Sequence, residues 1–355
     1  MGLGIGCSSD ARGPDAALSP PRLLVETASP SREQGRTTFR LEDLDVIAQN
    51  DACERCHVDI AAEWQDSLHR ASWSNEVFLG AYVVEPIAFC RGCHAPEALV
   101  SNTNDPARHL GVGCVTCHVV GHDIVGARAI PSRVDAHAVT EAPAIRGVGG
   151  CETCHQFEFP IPQDAAMQST IEEHAASPQA DKSCQSCHMP TVTKGDRSHK
   201  SHTFRVHGDP AILRRSVDVH ARNGATDRSI VVSLKATAEV GHAVPTGDMF
   251  RRLEVRSHVV AEGREQVANT VVLAREFRME RSAEGLRRVQ IGDSRVPASG
   301  EPREVTLSFP KSIAGDLVEW SVVYRRMGPD EAALFGVDLA AEEVVIASGR
   351  LSVSR

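Results

Sequence analysis

Five pentapeptides of one form, Cys-x-x-Cys-His, constrain this chain more than any other feature. They are Cys53-Glu-Arg-Cys56-His57, Cys90-Arg-Gly-Cys93-His94, Cys114-Val-Thr-Cys117-His118, Cys151-Glu-Thr-Cys154-His155 and Cys184-Gln-Ser-Cys187-His188. The spacing has a chemical reason. Two thiols three positions apart can each add to one vinyl group of a haem, and the next residue then lies under the iron as its proximal imidazole ligand. A lone copy reads equally well as a redox-active pair or as half of a zinc site. Five copies argue otherwise, because they use ten of the eleven cysteines and keep the histidine every time. A zinc site needs paired knuckles and does not require that histidine every time, and a disulfide framework needs no fixed gap. The expected cofactor is five haem c groups. Their thioether anchors are the ten motif cysteines, and their proximal iron ligands are His57, His94, His118, His155 and His188.

The rest of the composition agrees. In a chain of 355 residues only 4% are aromatic, so something other than aromatic side chains fills part of the interior. The formal net charge is -9, and haem propionates add acid. That excludes nucleic acid as a partner class and favours basic or neutral redox proteins, such as other cytochromes or a quinol-linked donor.

Haem attachment takes place outside the cytoplasm, so export to the periplasm or cell envelope is expected. No apolar export segment is visible, which points to a misplaced start or a signal already removed. Cys7 follows Leu3-Gly4-Ile5-Gly6 and precedes Ser8-Ser9-Asp10. That resembles the end of a bacterial lipoprotein signal and makes Cys7 a lipidation candidate. It would give a membrane tether and an outer-membrane lipoprotein. Gly4 stands where leucine is usual, and a stray thiol in a tail is the competing reading.

Texture divides the chain in three. Residues 1–44 are rich in Ser, Pro, Arg, Asp and Ala and read as a flexible N-terminal tether. Residues 45–208 hold every motif, as a pentahaem cytochrome domain of few short helices and mostly loops around the haems. The first cysteines are 37, 24, 37 and 33 residues apart, which argues against simple tandem duplication. Helices are expected over Asp59–Trp73 and Asp164–Ala176. Residues 209–355 lack cysteine. There, apolar alternation over Ser229–Ala236, Leu253–Ala261, Val267–Leu273, Glu304–Phe309, Val318–Tyr324 and Val344–Ala347, separated by Gly and Pro turns, predicts an all-β sandwich of immunoglobulin-like type.

The sixth iron position decides between electron transfer and substrate chemistry. Sixteen histidines leave eleven outside the motifs, against six methionines. Bis-histidine ligation is therefore the expectation for most sites. His69 sits on the first predicted helix. His174 shares a helix face with Met167 and Ile171. His122 is too near His118 to cap the same haem and fits a neighbouring one. Of His199 and His202 one is expected to be a ligand, and His258 in a β pattern is expected to be structural.

Trp64-x-x-Ser67-x-His69, Cys187-His188-Met189-Pro190 and Ser198-His199-Lys200-Ser201-His202-Thr203-Phe204 resemble bacterial multihaem cytochromes. The relatives are grouped with the tetrahaem carriers of hydroxylamine oxidation and the pentahaem nitrite reductases. Gly241-His242-Ala243-Val244-Pro245-Thr246-Gly247, followed by Arg251-Arg252, resembles a loop in cytochromes with an appended β-domain. The resemblance implies electron transfer through closely stacked bis-histidine haems, with His69, His174 and His202 as distal ligands. For His242 it implies a ligand reaching back from the β-domain.

Three readings of function stay open. The first is an electron carrier with no catalytic residue. The second is a multihaem reductase of a small nitrogen or sulfur oxyanion with one open iron. The pentahaem nitrite reductases use Cys-x-x-Cys-Lys at the catalytic haem, and this chain has none. The third is a filament-forming or partner-docking oligomer built through the β-domain.

Overall fold

The structure is a computed structural model that describes residues 45–99, 102, 104–132, 137–158, 166–204, 209–225, 228–260, 268–282, 285–310, 316–340 and 343–353. Cys7 and the expected tether lie outside the described residues. Among those residues, no helix is long and apolar enough to cross a membrane.

The N-terminal half is built from short helices: α1 (Val46–Cys56), α2 (Val58–Gln65), α3 (Glu76–Val84), α4 (Ala88–His94), α5 (Cys114–His118), α6 (Pro143–Arg146), α7 (Gly149–His155), α8 (Thr170–Ala175) and α9 (Cys184–His188). Each motif lies on a helix or ends one, for a geometric reason. Residues i, i+3 and i+4 share a helix face, so both thiols and the imidazole point the same way. Three of these motif helices run on into short ribbons. α5 leads to β1 (Val119–Val120), which pairs with β2 (Asp123–Gly126), and β2 in turn with β3 (Thr140–Glu141). α7 leads to β4 (Gln156–Glu158), paired with β5 (Ala166–Ser169), and α9 to β6 (Thr191–Lys194), paired with β7 (Arg197–Lys200).

The expected helix over Asp59–Trp73 is shorter than the periodicity suggests. α2 stops at Gln65 and the chain continues in turns to Trp73. The expected Asp164–Ala176 helix is split. Among the described residues of that span, Ala166–Ser169 is strand β5 and only Thr170–Ala175 is helical. Apolar residues at helical spacing also satisfy a strand running into a helix when the first part finds a strand partner, here β4.

After α10 (Pro210–Ser216) the chain becomes β. β8 (Val217–Asn223), β9 (Ser229–Ala236) and β14 (Arg303–Ser308) form an antiparallel sheet in the order β14-β9-β8. β10 (Arg252–Val260), β11 (Ala268–Leu273), β15 (Leu317–Arg325) and β16 (Glu343–Ser352) form a second, in the order β11-β10-β15-β16. β12 (Arg275–Ser282) and β13 (Gly285–Asp293) make a separate hairpin. A last helix, α11 (Pro329–Phe335), packs on α3 of the other half. That contact is close: a side chain at Gly80 would run into the backbone of Phe335.

One core joins the two sheets, with Ile230, Val232 and Leu234 of β9 buried together with Leu253, Val255, Val318 and Val322 of the second sheet. Alternation of buried and exposed residues along β10 and β14 leaves their other faces to solvent, as an antiparallel two-layer unit requires. Five of the six expected strands lie within a residue of those found, and the sixth, Val344–Ala347, is the start of the longer β16 (Glu343–Ser352). β8 and the β12–β13 hairpin were not anticipated, because Arg275–Ser282 carries two arginines and a glutamate within its first four positions and shows no apolar alternation.

Leu234 is wholly buried between the sheets. Leu234→Ala should cost about 2–5 kcal/mol, read as a lower denaturation midpoint of the β signal in far-ultraviolet circular dichroism. Val345→Ala, on the exposed side of β16, should stay within about 0.5 kcal/mol.

Candidate haem-binding cavity

One continuous cavity of about 3310 Å³ is lined by all fifteen cysteines and histidines of the five motifs. A single-ligand pocket holds about 300–1,000 Å³, so this space suits several large flat groups in contact with one another. Among the described residues, no three His, Cys, Asp or Glu side chains converge on a point that would hold a bare metal ion. The imidazoles instead face each other in pairs.

Four motif histidines have such a partner. Ring centroids are 6.0 Å apart for His57 and His137, 6.4 Å for His155 and His69, 6.2 Å for His118 and His202, and 6.2 Å for His188 and His242. Metal–imidazole bonds run about 2 Å. Two rings joined through one metal, each with its nitrogen about 1.2 Å from the ring centre, stand about 6.4 Å apart. The observed gaps therefore fit an iron between the rings, with a macrocycle lying in the gap.

Backbone carbonyls orient the rings. Nδ1 of His118 bonds to Val125 O at 2.9 Å, and Nδ1 of His94 to Ser72 O at 2.8 Å. On the opposite side of the gaps, Nδ1 of His202 bonds to Lys200 O at 2.7 Å, that of His242 to Ala243 O at 3.0 Å, and that of His137 to Ala138 O at 3.1 Å. A carbonyl accepting from Nδ1–H leaves Nε2 with its lone pair for a metal. Burial, reinforced by the imidazoles of His155, His202 and His188, pushes His69 down to about 3. Burial and then His242 push His188 down to about 4. Both rings are neutral at pH 7 and thus competent as ligands.

Local capping places the motif helices and their partners. Asn50 of α1 is fully buried, and its Oδ1 accepts from Cys114 N at 2.8 Å, which caps the third motif helix. A Cβ at Gly113 would strike that same Oδ1. Glu63 of α2 accepts from His202 N at 2.8 Å and pairs with His199 Nε2 at 3.1 Å. His199 thus serves Glu63, and Glu63 holds the His202 segment.

The expected distal set is redistributed. His69, His202 and His242 each face a motif histidine. His174 does not: its Nδ1 is bonded to Gly241 O at 2.9 Å and its Nε2 to Lys182 O at 2.8 Å. Both ring nitrogens thus lie against carbonyls rather than opposite a motif imidazole. His122 lies at an exposed turn after β1 and does not line the cavity. A turn between two paired strands, β1 and β2, carries it outward. His137 takes the place opposite His57 and was missed, because a histidine in an irregular stretch gives no periodic signal. His258, expected to be structural, is half-exposed and pairs with Glu319 at 3.0 Å.

His94 differs from the other four. Phe78 of α3 stacks on its imidazole, with centroids 3.7 Å apart and planes 9° from parallel. Among the described residues, no second imidazole faces it. Asp248 and Arg326 lie near enough to act on its charge, and Asp248 bonds Arg251 at 2.8 Å.

The motifs also touch one another. The thiol of Cys53 lies against that of Cys114, Cys93 against Cys154, and Cys151 against Cys184. First and third, second and fourth, and fourth and fifth motifs are therefore neighbours. Cys117 and Cys154 interact more weakly across the third and fourth.

The family described as cytochrome c554 and c-prime matches residues 52–119, which hold the first three motifs. No curated protein matches the chain in sequence. Among solved structures, a penta-heme cytochrome c552 from Thermochromatium tepidum is similar in fold, with a TM-score of 0.69 and 19% identity, over 89% of this chain and 100% of that one. A match in sequence over three attachment motifs and a match in fold over most of the chain thus point the same way, to the multihaem c-type cytochromes as the proteins this chain resembles.

Proposed function

We propose that the chain carries electrons between redox partner proteins through five covalently attached haems, four of them closed by two histidines. The observation that carries this reading is the set of four facing imidazole pairs. An iron with two protein ligands has no place for substrate and is suited to electron transfer. The motif contacts support a relay, since each motif neighbours at least one other and the fourth neighbours the second, third and fifth. The protein then tunes each potential through burial and nearby charge. Seven antiparallel strands in two sheets support the immunoglobulin-like reading of the C-terminal unit. Export to the periplasm or cell envelope belongs to the same proposal, as does anchoring through Cys7.

The second reading is reduction of a small nitrogen or sulfur oxyanion, and His94 favours it. Among the described residues no second imidazole stands opposite its ring, while Phe78 stacks on the ring face. Asp248, Arg251 and Arg326 supply charge nearby. A haem held there would keep one axial position for a small molecule.

Intact mass of the holoprotein should exceed that of the polypeptide by five haem groups, and Cys151→Ala with Cys154→Ala should lose one. Four added groups in the parent would sink the five-haem reading. Reduced holoprotein should bind carbon monoxide at no more than one haem. Binding at one haem, with nitrite or hydroxylamine turnover, would move the assignment to the reductase. Binding without turnover would keep the carrier.

A further inference from the structure

The loop that bears His242 comes from the β half, yet it is gripped mostly from the other half. Gln179 Nε2 donates to Ala238 O at 2.7 Å, and His174 holds Gly241 O. Gly241 allows that approach, since a Cβ there would come within 2.9 Å of His174 Nδ1. The β half holds the loop by backbone pairing of Val244 with Val296.

At the centre is Glu173 of α8. Its Oε2 accepts from Ala243 N at 3.2 Å and from Thr246 Oγ1 at 2.6 Å. Its Oε1 accepts from Ser169 Oγ at 2.8 Å and pairs with Arg295 at 2.8 Å. Arg295, only 5% exposed, also donates to Pro245 O at 3.0 Å and forks onto Asp293. Three of these bonds end on residues 243–246: those to Ala243 N, Thr246 Oγ1 and Pro245 O. Ala243 is the critical link. Its N–H is held by Glu173, and its carbonyl accepts from Nδ1 of His242. The carboxylate is thus one peptide away from the bond that orients the imidazole.

The base of the β12–β13 hairpin adds a second grip. Arg275, opposite Asp293 in register, donates to Met167 O at 2.9 Å and also to Ala166 O. These carbonyls lie just ahead of α8. The hairpin therefore closes over the segment that carries Glu173.

We propose that Glu173 and Arg295 are positioning residues for His242, a charged clamp through which the seating of the β half holds the distal imidazole toward the haem of the fifth motif. The proposal rests on the reading of His242 as a ligand. A carboxylate has acceptor sites for all four donors. A glutamine of the same shape has one acceptor oxygen and must turn an NH2 group toward donors on one side. An arginine fork serves Glu173, Asp293 and Pro245 O together, and a lysine ammonium cannot match that geometry. Partners behind a metal-bound histidine set its orientation and basicity. Loosening the clamp should therefore free His242 without removing it.

The test uses the reduced holoprotein, with carbon monoxide as probe and electron paramagnetic resonance of the oxidised form. His242→Ala is the reference and should convert one low-spin haem to a form that captures carbon monoxide. E173Q and R295K should leave all five haems attached and raise the rate of capture at that same haem about tenfold, the effect of losing one charge-assisted hydrogen bond. They should also shift its low-spin signal and leave the others unchanged. Parental capture and an unshifted signal in E173Q would overturn the proposal, even if its thermal midpoint fell, because that pattern marks a purely structural contact. E173Q is isosteric and decides the matter if R295K fails to fold. If His242→Ala itself leaves every low-spin signal in place, the ligand reading fails, and the clamp with it.

Discussion

Two imidazoles facing each other across a gap wide enough for one iron, repeated four times, is the constraint on which the rest of this structure depends. A short helix turn can present two thiols and one histidine on a single face. It cannot supply the second histidine, which must come from elsewhere at the right distance and with the right nitrogen forward. Much of the N-terminal half serves that need. Carbonyls take up Nδ1 on one ring after another, and Glu63 and Glu173 hold the backbone just beside His202 and His242.

The same constraint explains why the helices are short and the ribbons small. With a cavity of about 3310 Å³ at its centre, this half has little room for an apolar core of its own. Its buried apolar cluster is the modest group of Trp73, Ala95, Ala98 and Ala107. The β half is the reverse, with twenty buried residues across two sheets and no attachment motif. The two halves meet where the rigid unit lends a loop to the cavity. A loop backed by a packed sheet holds a ligand more firmly than one backed by other loops.

The five Cys-x-x-Cys-His motifs were legible in the letters because they are defined by spacing alone. A motif whose chemistry needs residues at i, i+3 and i+4 is visible without any fold. Six of the strands were legible for a similar reason, since alternation along ten residues or fewer is a local property. The β12–β13 hairpin was not, because its strands are charged and pair with each other. The split of Asp164–Ala176 was not either, because only the neighbouring β4 makes Ala166–Ser169 extended.

The distal side of each haem position lies beyond that reach. Histidine carries no mark in sequence that separates a ligand from a hydrogen-bond donor. His174 and His69 both look like helix-face histidines, yet one has both nitrogens on carbonyls and the other, half-buried, faces His155. His137 has no pattern around it and still faces His57. Which imidazole stands opposite which motif depends on contacts between residues far apart in the chain, 139 positions for Glu63 and His202. The chain's covalent spacing therefore sets how many Cys-x-x-Cys-His motifs there are and where they stand. Long-range packing alone sets which imidazole stands opposite each motif histidine, and it lays Phe78 on the face of His94.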